Sequence, residues 1–243
     1  MTITVASPRV RFAPRTLARI AGVLYLLLIG AAFNEGFVVP RLVHAGDATT
    51  TADDIRASAA LFRFGVVGDL LAGTIWLLLA MSLYLLLRHV HQLAAAAMVA
   101  FAAVGCAIQV LNQLNQYTAL TIATDGTYTH AFGSTGANGL TLLFAGMQQS
   151  GYLIDAMFFG LWLLPLGYLV VKSGYFPRAL GVLLIVGGFS YIADLFAIVF
   201  DLGGLGTILL VPAGLSELSF LLWLLIKGVP RDLSRPGSAA NSR

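Results

Sequence analysis

The sequence predicts an all-α, polytopic membrane protein, a bundle of six transmembrane helices, and three observations lead to this fold class. Of its 243 residues, 58% are hydrophobic and only 10% are charged, against roughly 25% charged in an ordinary soluble domain. The apolar residues fall into six long runs, and the basic residues gather at one side of these runs. A soluble chain of this size would have too little polar surface to cover such a core. We therefore expect the lipid bilayer to be the main partner of the chain.

A helix that crosses the hydrocarbon of a bilayer needs about 20 mostly apolar residues. Six runs meet this requirement, at residues 17–39, 61–87, 93–122, 140–171, 176–200 and 207–226. The connections after the second, fourth and fifth runs are short, which predicts antiparallel neighbours. The predicted division is a cytoplasmic tail at 1–16, a transmembrane domain at 17–227 and a disordered cytoplasmic tail at 228–243.

Two longer segments join the remaining runs. In the first, Thr51 and Asp54 have the spacing of a capping box, which predicts a helix that starts there and leads into the second run. The second segment, residues 123–139, is rich in Gly, Thr and Ser and is predicted to be irregular.

The basic residues predict the orientation. Eleven of them flank one face of the bundle, while Arg41, Arg56 and Arg63 flank the other, and the basic side is normally cytoplasmic. Both termini are therefore expected in the cytoplasm, in a bacterial cytoplasmic (inner) membrane. Because the basic residues are scattered anchors, we expect no nucleic-acid partner. The first run also fits a signal peptide, but it continues to Val39 without an Ala-x-Ala cleavage pattern, which favours a span.

One motif occurs in both the second and the fourth runs: a Gly, an Asp four residues later and a Trp seven residues after the Asp. The two copies are Gly65, Asp69 and Trp76, and Gly151, Asp155 and Trp162. These offsets keep all three side chains on one helix face. We interpret them as duplicated helical hairpins of the same orientation, with chance similarity between apolar runs as the alternative.

Five acids lie inside the apolar runs, where a carboxylate costs a few kcal/mol and normally faces the bundle interior or a wet cavity. They are Glu35, Asp69, Asp155, Asp194 and Glu217. Four amides, Gln109, Asn112, Gln113 and Gln116, share one face of the third run. The predicted orientation places these groups in the outer half or near the midplane, above an apolar inner half.

This asymmetry predicts an acid-lined cavity open to the extracytoplasmic side. The candidate ligand-binding residues are Glu35, Asp69, Gln109, Asn112, Asp155, Asp194, Glu217, Trp76 and Trp162. Two plainer interpretations stay open, because the tryptophans fit core packing and the amides fit interhelical hydrogen bonds worth about 0.6 kcal/mol each.

The basic residues of the runs lie near their ends, and only Arg41 and Arg63 are expected near the level of the acids. No Lys or Arg is therefore expected inside the membrane to neutralise the acids, so proton exchange, metal binding and recognition of a cation are the natural chemistries. The leading hypothesis is a protein that binds or transports a small cationic or protonatable ligand. The alternatives are a membrane-embedded enzyme that uses carboxylates, with or without a metal, on a lipid-like substrate, and a structural or regulatory membrane subunit. The sequence has no H-E-x-x-H, P-loop or G-x-S-x-G motif, and it assigns no cofactor, metal ligand, catalytic residue or oligomeric state.

Six segments resemble a known family: ARIAGVLYL at 18–26, FNEG at 33–36, LFRFGVVGDL at 61–70, QVLN at 109–112, FFGLWLLPLG at 158–167 and SGYFPR at 173–178. In these segments the chain resembles the bacterial membrane-protein family catalogued as domain of unknown function 4386. The resemblance implies a six-span integral membrane protein and carries over no catalytic residue.

Overall fold

The protein is helical throughout the described part of a computed structural model, which comprises residues 13–31, 34–202 and 206–230. In chain order the elements are α1 (Pro14–Ala31), a π-helical turn (Asn34–Val38), α2 (Val39–Leu42), α3 (Ala48–Ala57), α4 (Ala59–Leu87), α5 (Gln92–Thr124), α6 (Gly126–Ser173), α7 (Arg178–Val199) and α8 (Gly206–Ile226). No strand occurs within these ranges. The all-α prediction is therefore confirmed.

Five of the described helices are long and apolar enough to cross a membrane. They are α4, α5, α6, α7 and, within α8, Ile208–Ile226. The outer faces of the helices expose many large apolar side chains, such as Leu71, Leu111, Phe189 and Leu222, as expected where lipid tails replace water. The chain is thus an integral membrane protein with several spans. The first predicted span corresponds to α1 followed by the π-helical turn, and the total of six spans stays a prediction.

The long helices form a closed ring in chain order. Helix α1 packs on α4, and each helix from α4 to α7 packs on the next one in the chain. Helix α8 packs on α1 and so completes the ring. The turns are short, and Asp125 alone separates α5 from α6. Consecutive helices therefore run antiparallel, and the space inside the ring is shared by all six.

The two ends of the ring differ in chemistry. At the end that carries Arg88, Lys172 and Lys227, hereafter the basic end, buried apolar side chains from every long helix form one continuous core. Gly228 closes α8 there with φ +59, and its N–H bonds the Trp223 carbonyl at 2.8 Å. Val229 beyond it is buried in the same core, so the packed chain extends two residues past the predicted domain boundary at 227. The opposite end, hereafter the α3 end, contains most of the buried polar side chains.

Helix α3 lies across the tips of α5 and α6. Arg56 fixes it there, donating from Nε to the Ala123 carbonyl at 2.8 Å and from its guanidinium to Asn138 Oδ1 at 2.6 Å. Ile55 is fully buried against the tips of the neighbouring helices. Only Ser58 separates α3 from α4, in agreement with the predicted continuity.

Two local predictions at the α3 end are wrong. Helix α3 begins at Ala48 with Asp47 as its N-cap, because Asp47 Oδ1 accepts from the Thr50 N–H at 2.9 Å, whereas Thr51 is buried inside the helix. The segment 123–139 is helical rather than irregular, apart from Asp125 between α5 and α6 and a break at Gly133 with φ +72. Contacts with α3 stabilise it despite its Gly and Thr content.

The Asp47 cap gives a prediction on pH. We expect Asp47→Ala to increase amide exchange at Thr50 and Thr51 several-fold at pH 7, measured by hydrogen–deuterium exchange, whereas Asp47→Asn retains the cap. The hydrogen bonds from Thr50 hold the pKa of Asp47 below its usual value. The extra stabilisation from the charged carboxylate is therefore complete above the ordinary Asp pKa of about 3.9. It is lost as the pH falls through the lower folded-state pKa, where exchange in the wild type should approach that of Asp47→Asn. Equal exchange of the wild type and Asp47→Ala at pH 7 would refute the cap.

Candidate functional site

A cavity of about 560 Å³ lies inside the ring, towards the α3 end. All six long helices contribute to its wall. The polar part of the lining comprises Asp69, Gln109, Gln149, Ser150, Tyr152, Tyr191, Asp194 and Glu217. Phe159 and aliphatic side chains such as Leu28, Ile29 and Leu210 form much of the rest. The wall is thus mainly apolar with a few polar groups, as in sites that bind small organic molecules.

Asp194 of α7 and Glu217 of α8 are two of the acids that line this cavity. Asp194 is only 4% exposed, and its Oδ1 has no hydrogen-bond partner among the described residues. The same holds for Oε1 of Glu217. The Tyr191 hydroxyl lies within hydrogen-bonding reach of the Glu217 carboxyl, and the Tyr25 hydroxyl is close to it. The site therefore contains buried acceptor atoms that a bound donor or cation would satisfy.

Asp69 of α4 also lines the cavity, but its carboxyl has a hydrogen-bond donor within the protein. Its Oδ2 accepts from the Asn34 amide at 2.7 Å. Gly65, one turn earlier on α4, makes room for this amide, since a Cβ at position 65 would lie 2.3 Å from Asn34 Oδ1. The Gly and the Asp of the first motif copy thus hold one Asn from the preceding segment.

The second copy of the motif has a similar glycine. A Cβ at Gly151 would lie 2.1 Å from Asn112 Oδ1, and Asn112 donates to the Gln148 carbonyl at 2.7 Å. The two tryptophans also meet, with ring centroids 5.9 Å apart and an edge-to-face arrangement. The two glycines thus each lie against an Asn, but only the Asp of the first copy bonds its Asn. The duplication of helical hairpins stays a prediction.

Asp155 lies behind the cavity wall. It is 1% exposed, is not among the lining residues, and sits against Gly105, with Cys106 nearby. Neither of its carboxyl oxygens has a hydrogen-bond partner among the described residues. Its neighbours Tyr152 and Ala156 do line the cavity, so Asp155 is adjacent to the site but screened from it.

Trp76 and Trp162, two of the candidate ligand-binding residues, lie outside the lining of the cavity. Both are fully buried in the apolar core, and neither lines the cavity. Each Trp follows its Asp by seven residues and so lies about 10 Å further along the helix, towards the basic end. Trp76 instead supports the wall from behind, because its ring stacks on Phe159 at 4.1 Å.

Of the remaining candidate residues, one lines the cavity, one lies outside it, and the side chain of a third is not described. Gln109 lines the cavity, whereas Asn112 bonds within the α5–α6 interface. The side chain of Glu35 lies outside the described residues. The structure therefore brings together Asp69, Gln109, Asp194 and Glu217 from the predicted set.

Three aromatic residues of the lining were not among the sequence candidates: Tyr152, Phe159 and Tyr191. Tyr191 could have been found, because it precedes Asp194 by three residues and so shares its helix face. Tyr152 has the same spacing to Asp155. Phe159 carries no such signal, since an apolar aromatic residue fits lipid, core and cavity equally.

The described lining of the cavity contains acidic residues but no basic ones. Three carboxyl groups line it, and no Lys or Arg is found among the described lining residues. Within the described chain, no three His, Cys, Asp or Glu side chains are grouped closely enough to hold a metal ion. A bound cation would have to be held by these separate carboxyls, together with the amide and aromatic groups around them.

The family model described as "Domain of unknown function (DUF4386)" matches residues 20–228. The chain belongs to this family. The match covers most of the chain and confirms the resemblance found in the sequence. The matched range contains every residue that lines the cavity.

The chain is also similar to an uncharacterized protein from Archaeoglobus fulgidus, to which it is 35% identical over 85 residues. The similarity covers 35% of the present chain and 48% of the relative, so the chain spans about half the length of that protein. No solved structure matches the chain.

Proposed function

We propose that this DUF4386 protein binds a small organic cation in the cavity inside its ring, as a binding or transport protein. The observation that carries the proposal is a cavity lined by Asp69, Asp194 and Glu217 without a described basic residue. A carboxylate buried away from water is costly unless it is protonated or paired. A cationic or protonatable ligand would pair with the carboxyls of Asp194 and Glu217, each of which has an oxygen without a described hydrogen-bond partner.

Size and surface support an organic ligand. A volume of about 560 Å³ lies within the range of sites for small organic molecules. The apolar and aromatic wall would contact carbon atoms, while the unpartnered oxygens of Asp194 and Glu217 would receive the charged group.

We place the protein in the cytoplasmic membrane, with the α3 end on the extracytoplasmic side and both termini in the cytoplasm. The support is the distribution of basic residues along the sequence, since eleven of the fourteen Lys and Arg residues flank the predicted spans on the other side and the basic side is normally cytoplasmic. The ligand then enters from the extracytoplasmic side. Release to the cytoplasm would require the apolar core at the basic end to open.

The proposal is tested by removing charge and by filling space. The full-length protein in nanodiscs is titrated with benzylammonium and followed by calorimetry. We expect binding that weakens about tenfold or more in Asp194→Asn and in Glu217→Gln, because each change removes a charge-assisted contact. Gly214→Leu should abolish binding, since Gly214 lines the cavity and a Cβ there meets nothing within 4 Å.

Two controls distinguish the cavity from general effects. Asp201→Asn removes an exposed acid just beyond α7, and Gly146→Leu adds bulk at a glycine of α6 that likewise meets nothing within 4 Å. Both should bind as the wild type does. Binding that is indifferent to Asp194, Glu217 and Gly214 would exclude the cavity as the site.

A further inference from the structure

The cavity combines its carboxyls with aromatic rings on the same side. Tyr152 and Phe159 of α6 and Tyr191 of α7 line it together with Asp194 and Glu217. The Phe159 and Tyr191 rings have centroids 6.0 Å apart, with their planes tilted by 37°. Tyr191 lies close enough to Tyr152, Asp194 and Glu217 for electrostatic interaction with each. Rings and acids therefore form one wall.

This wall is rigidly supported. Phe159 stacks on Trp76 with an interplanar angle of 1°, and Trp76 is held by Trp162, which in turn packs on Tyr25. Because these supporting rings are fully buried, Phe159 has little freedom to move before a ligand arrives. Such preorganisation lowers the entropy cost of binding.

Acids and rings together discriminate among cations. A carboxylate alone attracts any of them, and a small hydrated cation would lose water for few new contacts. A ring face attracts a cation within about 6 Å, and aromatic groups are suited to alkylated ammonium ions. An alkylammonium has apolar groups that fit against the rings and carries the positive charge that the acids require.

We propose that the cavity selects a tertiary or quaternary alkylammonium group, which the rings of Tyr152, Phe159 and Tyr191 contact while Asp194 and Glu217 neutralise its charge. This inference rests on the proposed function and specifies its ligand class. The group could belong to a free solute or to a lipid headgroup, because both present the same alkylated nitrogen.

The experiment compares tetramethylammonium with ammonium on the full-length protein, in nanodiscs of phosphatidylglycerol, by calorimetry. We expect tetramethylammonium to bind at least about tenfold tighter. Tyr191→Leu should weaken tetramethylammonium binding roughly tenfold and change ammonium binding less than about twofold. Tyr191→Phe retains the ring and should stay close to the wild type for tetramethylammonium, and the melting temperature of each variant checks its folding.

The outcomes separate this inference from the proposed function. Equal affinity for the two probes, with both dependent on Asp194 and Glu217, would overturn the aromatic selection and leave the cation site intact. Binding of neither probe would overturn the selection, and the proposed function would fall with it if benzylammonium also failed to bind. If tetramethylammonium binds in phosphatidylglycerol but is displaced in phosphatidylcholine nanodiscs, the selection stands and a lipid headgroup is the source. If phosphatidylcholine has no effect, the selection stands and the source is a free solute.

Discussion

Gly167→Leu is expected to destabilise the folded bundle by roughly 3 kcal/mol or more. Helices α6 and α7 approach each other through two glycine pairs in antiparallel register. A Cβ at Gly167 would lie 2.6 Å from the Gly181 carbonyl oxygen, and a Cβ at Gly160 would lie 2.7 Å from that of Gly188. Backbone atoms cannot turn aside as a side chain can, so the two helices must separate. Small residues at such crossings are what permits close packing in membranes.

The measurement is unfolding of the purified protein in increasing sodium dodecyl sulfate, followed by tryptophan fluorescence from Trp76 and Trp162 in the core. Gly146→Leu is the matched control, because it lies on the same helix and a Cβ there meets nothing within 4 Å. It should shift the free energy of unfolding by no more than about 0.5 kcal/mol. Equal unfolding of the two variants would show that the α6–α7 crossing is wider than described.

The sequence predicted the long helices well because bilayer thickness, rather than subtle propensity, determines their length. The run at 61–87 became α4 (Ala59–Leu87), and the run at 93–122 became α5 (Gln92–Thr124). The segment 123–139 was missed because glycine and threonine lower helix propensity, whereas packing determined the result. Ala137 and Asn138 are buried there, and Arg56 of a distant helix binds Asn138.

The site was predictable in composition but not in detail. Helical periodicity groups residues on one face of one helix, but it does not give the rotation of that helix within the ring. Asp69 and Asp155 occupy the same position in the Gly–Asp–Trp motif, yet Asp69 lines the cavity and Asp155 lies behind it. The ring places α4 and α6 on opposite sides of α5, so equivalent faces meet different neighbours.

The contact between Gly65 and Asn34 gives a prediction that depends on two residues at once. We expect Gly65→Ala to cost about 1.5–3 kcal/mol, because its Cβ would displace the Asn34 amide and break its 2.7 Å hydrogen bond to Asp69. In an Asn34→Ala background the space is vacant, so the same change should be neutral or stabilising by up to about 1 kcal/mol, the helix preference of Ala over Gly. Both values come from unfolding in sodium dodecyl sulfate.

The double-mutant cycle distinguishes this contact from a general intolerance of α4 to substitution. Gly68→Ala, three residues further along the same helix, meets nothing within 4 Å and should be harmless in both backgrounds. A cost of Gly65→Ala that persists without the Asn34 amide would show that the glycine serves helix packing instead.

Since Asp69 also lines the cavity, the Asn34 amide would govern how that carboxyl is oriented towards a ligand. Gly65→Ala should then lower cation affinity in the wild-type background and leave it unchanged where Asn34 is already Ala.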